Sequence, residues 1–316
     1  MRHVLIVLLV FVALLQPISF AMPSLRSEHA KIGRDGWLIF TAQQGGNIRD
    51  YRRQNLRSEQ ELENAYQAVR LVQSKLESMG SHFVWIVIPN TPTVYPESMP
   101  KHIKQKAGPS RLEQLAEYLQ RRGIHFIHAT SAMRQAKTLG QLYQKTDTHW
   151  NELGAYIGYK TLLDYLRTLD RRFSSQLEPL DLEHITVNTF EKEGGDLAGM
   201  LALQDILHEQ YTQLLPKIPR EARTTGNPET VLVSRKDTQC PGPTLAMYRD
   251  SFSNLLQPFV SEHFCEAEFY WKWEVDRELL LKRRPSYVVF QNIERFTDDA
   301  LNGLIQLAQQ PLATIP

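Results

Sequence analysis

The sequence predicts an α/β fold: a mostly parallel sheet with helices on both faces. Three observations predict it. Short apolar, partly β-branched runs recur near 83–88, 124–129, 244–248, 268–273 and 287–290. Stretches with apolar residues at helical spacing alternate with them. The run Phe83-Val84-Trp85-Ile86-Val87-Ile88 has no polar face, as a strand covered on both sides requires. Strands alternating with helices imply crossover connections, and hence parallel pairing.

Taken in order, the chain opens with Met1-Arg2-His3, an apolar run from Val4 to Leu15, and small residues at Ser19 and Ala21. That is the pattern of a secretory signal cleaved after Ala21. The alternative is an uncleaved membrane anchor, because Val4 to Met22 is nearly long enough to span a bilayer. Gln16 and Pro17 interrupt the run and favour cleavage. Residues 22–316 are then expected outside the cytoplasm, in the periplasm, free or anchored to the inner membrane.

After Gly33-Arg34-Asp35-Gly36, the residues Trp37 to Phe40 read as a short strand. Leu62, Tyr66, Val69, Val72, Leu76 and Met79 mark a helix stopped by Gly80. The 83–88 strand ends at Pro89-Asn90-Thr91-Pro92, and an irregular loop carries Tyr95. Leu112, Leu115 and Leu119 mark a second helix. A strand at 124–129 and a helical stretch at 131–139 follow it. Asn151 is a natural cap for a long amphipathic helix from Glu152 to about Leu169. Residues 171–240 show no sustained period and read as an insertion of loops and short elements. Regular alternation resumes with the 244–248 strand. A helix from about Phe252 to His263 follows, then a strand, a helix over 275–282, the 287–290 strand and a final helix over 298–309.

Of the 316 residues, 42% are apolar, which excludes a disordered chain. Removing residues 1–21 removes Arg2 and leaves 35 basic and 35 acidic groups. A balanced chain argues against nucleic acid as partner. Cys240 and Cys265 cannot make a cysteine-rich zinc site. His125 and His128, three apart on a strand, point to opposite faces. No metal and no cofactor is expected.

One constellation can carry chemistry. Ser251 follows an apolar strand and opens a helix, where unpaired N–H groups and a positive potential lie outside the strand ends. If Asp147-Thr148-His149 is extended, its first and last side chains share a side, and the carboxylate can steady the imidazole. A serine hydroxyl needs such a base. The residues alone leave other readings open: a helix cap for Ser251, a solvated carboxylate for Asp147 and a helix-flanking imidazole for His149.

The block Thr146 to Gly154, T-D-T-H-W-N-E-L-G, resembles the acyltransferase domain of the alginate O-acetyltransferase AlgJ and AlgX family. Tyr248-Arg249-Asp250-Ser251-Phe252 resembles that family's serine block, with weaker likeness at 35–40, 93–97, 195–197 and Glu294-Arg295. The resemblance implies an SGNH-hydrolase-like, flavodoxin-like fold, with Ser251 as nucleophile, His149 as base and Asp147 as its orienter. It also implies acetyl transfer to an exported polysaccharide acceptor, with a membrane-bound acyltransferase as acetyl donor. Asp and His preceding Ser in the chain favours this branch over ordinary SGNH esterases. Two departures bear on the oxyanion environment. Arg249 stands where a glycine is usual, and Thr91 stands where lysine is frequent. Ending at Pro316, the sequence is expected to carry no C-terminal carbohydrate-binding module.

Four residues are candidate substrate contacts: Trp150, Tyr95, Arg249 and Arg295. Against that, Trp150 and Tyr95 also fit core packing, and Arg295 fits a surface charge. Cys240 and Cys265 precede successive strands, so a bridge would close a loop around Ser251. It would stabilise by about 3.5 kcal/mol on the loop-entropy estimate, and two free thiols remain the alternative. Three functions stay open: O-acetyltransferase, carbohydrate O-acetyl esterase, or non-catalytic glycan-binding scaffold of a synthesis complex.

Overall fold

The apolar run at 83–88 lies one strand in from an edge of a seven-stranded sheet, and the helices covering both faces explain its lack of a polar face. The computed structural model describes residues 27–42, 47–236 and 239–310. The strands are β1 (Ala30–Ile32), β2 (Leu38–Phe40), β3 (His82–Ile88), β4 (Phe126–His128), β5 (Ile185–Glu193) and β6 (His208–Pro216). After them come β7 (Arg223–Asn227), β8 (Val231–Arg235), β9 (Thr244–Tyr248), β10 (Glu266–Tyr270) and β11 (Tyr287–Ile293). The central sheet runs β4-β3-β11-β9-β10-β8-β7. Its first five strands are parallel, and β8 and β7 add antiparallel at one edge.

Alternate residues of each central strand enter opposite cores. Val84, Ile86, Met247 and Val289 pack on one face with Tyr159 and Leu163 of the Glu152–Leu169 helix and Leu256 of the Ser253–Val260 helix. Phe83, Trp85, Ala246 and Phe290 pack on the other with the Glu59–Ser78, Arg111–Gln120 and Thr297–Gln309 helices. Every residue from Phe83 to Ile88 is fully buried. Helix starts follow local chemistry. Ser58 with Glu61, and Ser110 with Glu113, close capping boxes, while the Asn151 side chain caps Gly154 N–H.

The expected loop after β3 is a one-turn helix, Thr91–Val94, followed by a 3₁₀ turn. Residues 171–240 differ more from expectation. They hold four strands, two of which extend the central sheet as β7 and β8. The other two, β5 and β6, pair only with each other over nine residues apiece. Cys240 and Cys265 are joined as a disulfide with Cα atoms 5.5 Å apart, tying the entry of β9 to the entry of β10.

The expected signal, residues 1–21, lies outside the described residues. Among the described residues, no helix is long and apolar enough to cross a membrane.

Candidate active site

Parallel pairing places the carboxyl ends of β3, β9 and β11 at one edge of the sheet, and the loops that follow them meet there. The turn after β9 carries Ser251. Its neighbour Asp250 is buried, and its carboxylate accepts from Phe252 N–H at 2.9 Å, Gln291 Nε2 at 3.0 Å and Ile293 N–H at 2.6 Å. Burial pushes the Asp250 carboxyl up, and these donors oppose the shift. Gln291 returns the clamp by accepting from Asp250 N–H and from Ser253 Oγ. The serine turn is thus anchored to β11.

The second component is the loop before the Glu152–Leu169 helix. Asp147-Thr148-His149 is not extended as expected but forms a tight bend. Asp147 Oδ1 accepts both the backbone N–H of His149, at 2.8 Å, and its Nδ1, at 2.7 Å. The imidazole is steadied as anticipated, by a different backbone. His149 Nε2 lies 2.7 Å from Ser251 Oγ, so the three residues form one continuous hydrogen-bonded chain. Burial favours a raised carboxyl at Asp147. The hydrogen bond and charge of His149, with the N–H groups of His149 and Asp196, outweigh it and hold the group at about 2.

Residues from the 171–240 segment hold this loop, and sequence reasoning missed them as site components. Asp196 accepts from Thr148 N–H at 2.7 Å and from Thr148 Oγ1 at 2.5 Å. Glu209 accepts from Lys145 N–H at 2.7 Å, Thr146 N–H at 3.1 Å and Thr146 Oγ1. Gly195 passes so close to Asp147 that a Cβ there would run into its side chain. The Gly194-Gly195-Asp196 turn was the one available signal, because no spacing links it to 147 or 149. Asp147, His149 and Asp196 bring three potential metal-ligand atoms within 4.8 Å of one another. Their capacity is committed internally: His149 uses both ring nitrogens on Asp147 and Ser251, and Asp196 uses both oxygens on Thr148.

Of the four expected substrate contacts, Trp150 lines the cavity that holds Ser251, and Tyr95, Arg249 and Arg295 do not. Trp150 is 1% exposed. Its Nε1 donates to Phe252 O at 3.0 Å, and its ring lies where a Cβ on Gly158 would approach to 2.6 Å. It fastens the histidine loop to the serine turn, and the little of it left uncovered lines the cavity that holds Ser251. Tyr95 is buried, and its hydroxyl accepts from Leu142 N–H. Arg295 is partly buried and does not line the cavity that holds Ser251. It sits behind the site against the rings of Phe40, Phe252 and Phe296. Burial lowers its pKa, and the charge of Asp250 opposes that.

Arg249 is 1% exposed, stacks 4.5 Å over Trp271 and donates to Pro228 O and to Asn254 Oδ1 at 2.9 Å. Guanidinium has only donors, so it fixes the Asn254 amide with Oδ1 inward. Asn254 lines the same cavity as Ser251, of about 230 Å³. Among the described residues, neither Asn254 Nδ2 nor the Ser251 N–H has a protein acceptor. The arginine in the glycine position therefore orients a neighbour rather than contacting substrate. Fixed donors of this kind, beside a serine paired to a base, suit an oxyanion formed during acyl transfer.

A protein-family model described as "SGNH hydrolase-like domain, acetyltransferase AlgX" matches residues 30–241. The match includes Asp147 and His149 and ends before Ser251. The probable alginate O-acetylase AlgJ of Pseudomonas aeruginosa is 29% identical over 202 residues, covering 61% of this chain and 46% of the relative. Its counterpart from Pseudomonas fluorescens is 30% identical over 203 residues, covering 63% and 47%. The chain thus spans about half the length of these relatives. Among solved structures, PatB1 of Bacillus cereus superposes with a TM-score of 0.61 at 15% identity, covering 83% of this chain and 95% of that one. The O-acetyltransferase domain of Pseudomonas putida AlgJ superposes at 0.52 and 19% identity, covering 86% and 92%. At these identities the structural likeness establishes the SGNH-like fold.

Proposed function

The chain belongs to the family of AlgX-type SGNH hydrolase-like acetyltransferase domains, and from that premise we propose that it is a serine-dependent O-acetyltransferase acting on an exported polysaccharide. The observation that carries this reading is the chain of contacts from Asp147 through His149 to Ser251, each link 2.7 Å.

Ser251 Oγ attacks the carbonyl of an acetyl donor while His149 Nε2 takes its proton. Asp147 holds the imidazole in the orientation that leaves Nε2 free to do so. The oxyanion faces Ser251 N–H and Asn254 Nδ2, whose amide Arg249 holds. His149 returns the proton to the leaving group, leaving acetyl-Ser251. A sugar hydroxyl then attacks this ester, gives its proton to His149 and releases Ser251, which recovers the proton. The proposed donor is a membrane-bound acyltransferase that delivers acetyl groups to this domain.

The test combines 4-nitrophenyl acetate with an oligosaccharide acceptor. A nitrophenol burst with a mass increase on Ser251, followed by acetylated sugar, is the expected outcome. Ser251→Ala abolishes both. Burst and label persisting in Ser251→Ala would refute the assignment. Free acetate as the sole product would make the protein an esterase.

A further inference from the structure

We propose that Gln144 grips a hydroxyl next to the one being acetylated, and so makes a vicinal diol of the sugar, rather than water, the preferred acceptor at Ser251. This rests on the reading of Ser251 as the acetyl-carrying residue.

Gln144 is placed by a well-anchored loop. Tyr143 and Trp150 form an antiparallel bridge, and one step along it Gln144 N–H donates to His149 O at 3.2 Å. Gln144 therefore stands across the chain from His149, and both residues line the cavity that holds Ser251. Its neighbours are fixed on either side. Leu142 N–H donates to Tyr95 Oη at 3.0 Å, Tyr143 Oη donates to Pro89 O, and Lys145 N–H donates to Glu209 at 2.7 Å.

Gln144 is 6% exposed, yet neither its Oε1 nor its Nε2 has a hydrogen-bond partner. Among the described residues, it alone leaves two enclosed polar side-chain atoms unpaired. Burying such groups without partners is destabilising, and a leucine of similar size would avoid the penalty twice over. Packing therefore does not account for a glutamine here. An amide offers one acceptor and two hydrogens to donate, which matches a hydroxyl that also does both. The torsion that turns an amide is broad, so a rotation at the end of the side chain presents these atoms to a sugar in the cavity.

The contact belongs to the second half of the reaction. The attacking hydroxyl oxygen bonds to the acetyl carbon and gives its proton to His149 Nε2. The ester bond to Ser251 Oγ then breaks, and Oγ takes that proton back. Meanwhile the adjacent hydroxyl of the same ring engages the Gln144 amide. Water has no second hydroxyl, so it forgoes this contact when it competes for acetyl-Ser251.

The test reads how acetyl-Ser251, formed in the full chain with 4-nitrophenyl acetate, divides among acceptors. The probes are cyclohexanol and the cis and trans forms of 1,2-cyclohexanediol, ring alcohols that differ by one vicinal hydroxyl. The wild type is expected to acetylate at least one diol roughly tenfold faster than cyclohexanol, of which about twofold is the statistical share of a second hydroxyl. Gln144→Leu should reduce that preference to about twofold and raise the urea midpoint, because it removes an unpaired buried amide at similar volume. A wild type without the preference overturns the proposal, and so does a preference unchanged in Gln144→Leu. Equal loss for cyclohexanol and the diols overturns it too, since a disturbed site slows every acceptor alike. A lowered midpoint would show that the amide is paired in the free protein, with the same consequence. A wild type that forms no acetyl-Ser251 overturns the Ser251 reading and this inference with it, whereas a normal burst with any of the other failures sinks this inference alone.

Discussion

Replacing Asp250 by Asn exchanges one carboxylate oxygen for NH₂ in a buried place, and the structure shows how that disturbs both stability and Ser251. Three donors converge on the carboxylate: Phe252 N–H and Gln291 Nε2 on Oδ1, and Ile293 N–H on Oδ2. An asparagine can keep its oxygen at the Oδ1 position and satisfy the first two. Its NH₂ then replaces Oδ2 and confronts Ile293 N–H at a separation that was 2.6 Å, donor against donor. Leaving such buried groups unsatisfied costs about 1–3 kcal/mol each. Removing a buried charge offsets part of it, since burial already disfavours the ionised form here. The expected net loss is about 1–3 kcal/mol. The 2.7 Å contact between Ser251 and His149 leaves little slack, and a shift of about 1 Å at the turn lowers the acylation rate on the order of 100-fold. Urea denaturation and the nitrophenol burst rate measure the two effects. A variant with wild-type midpoint and wild-type burst would refute the clamp.

Two further outcomes follow from groups away from the reacting atoms. Burial pushes Glu294 from 4.5 up to about 7, against hydrogen bonds from Thr93 and Asn90. The folded chain then keeps a proton that the unfolded chain has released, so the stabilisation is full below pH 4.5 and disappears as pH rises through 7. Glu294→Gln should therefore gain on the wild type by on the order of 3 kcal/mol between those limits, and parallel pH–stability curves would refute this. Replacing Cys240 and Cys265 by Ser opens a loop spanning 25 positions and should cost about 3.5 kcal/mol in urea unfolding. Coincident midpoints would show that the bridge adds nothing.

What could be read in advance has a common character. The β3 run, the helices at Glu59–Ser78 and Glu152–Leu169, and the Asn151 cap depend on period and on side chains a few residues apart, so their physics is written locally. The D-x-H pair is likewise local: Asp147 reaches His149 through a two-residue bend. The β5–β6 hairpin escaped because only Ile185 of β5 and Leu214 of β6 are buried, so no apolar alternation points to a core. Core packing and sugar stacking stayed open for Trp150 because nothing near it in sequence reveals that Gly158 and Phe252 would pack against it.

By itself the sequence determined the alternating layers, the pair at 147 and 149, and a serine at a strand-to-helix turn. Tertiary structure alone decided that this serine, 102 positions downstream, meets the imidazole. It also decided that Glu209 and Asp196 grip the histidine loop, and that Arg249 turns inward to aim Asn254. The physical reason is range. Hydrophobic period and capping act over a few residues, whereas these contacts exist only because parallel strand order stacks distant carboxyl ends side by side.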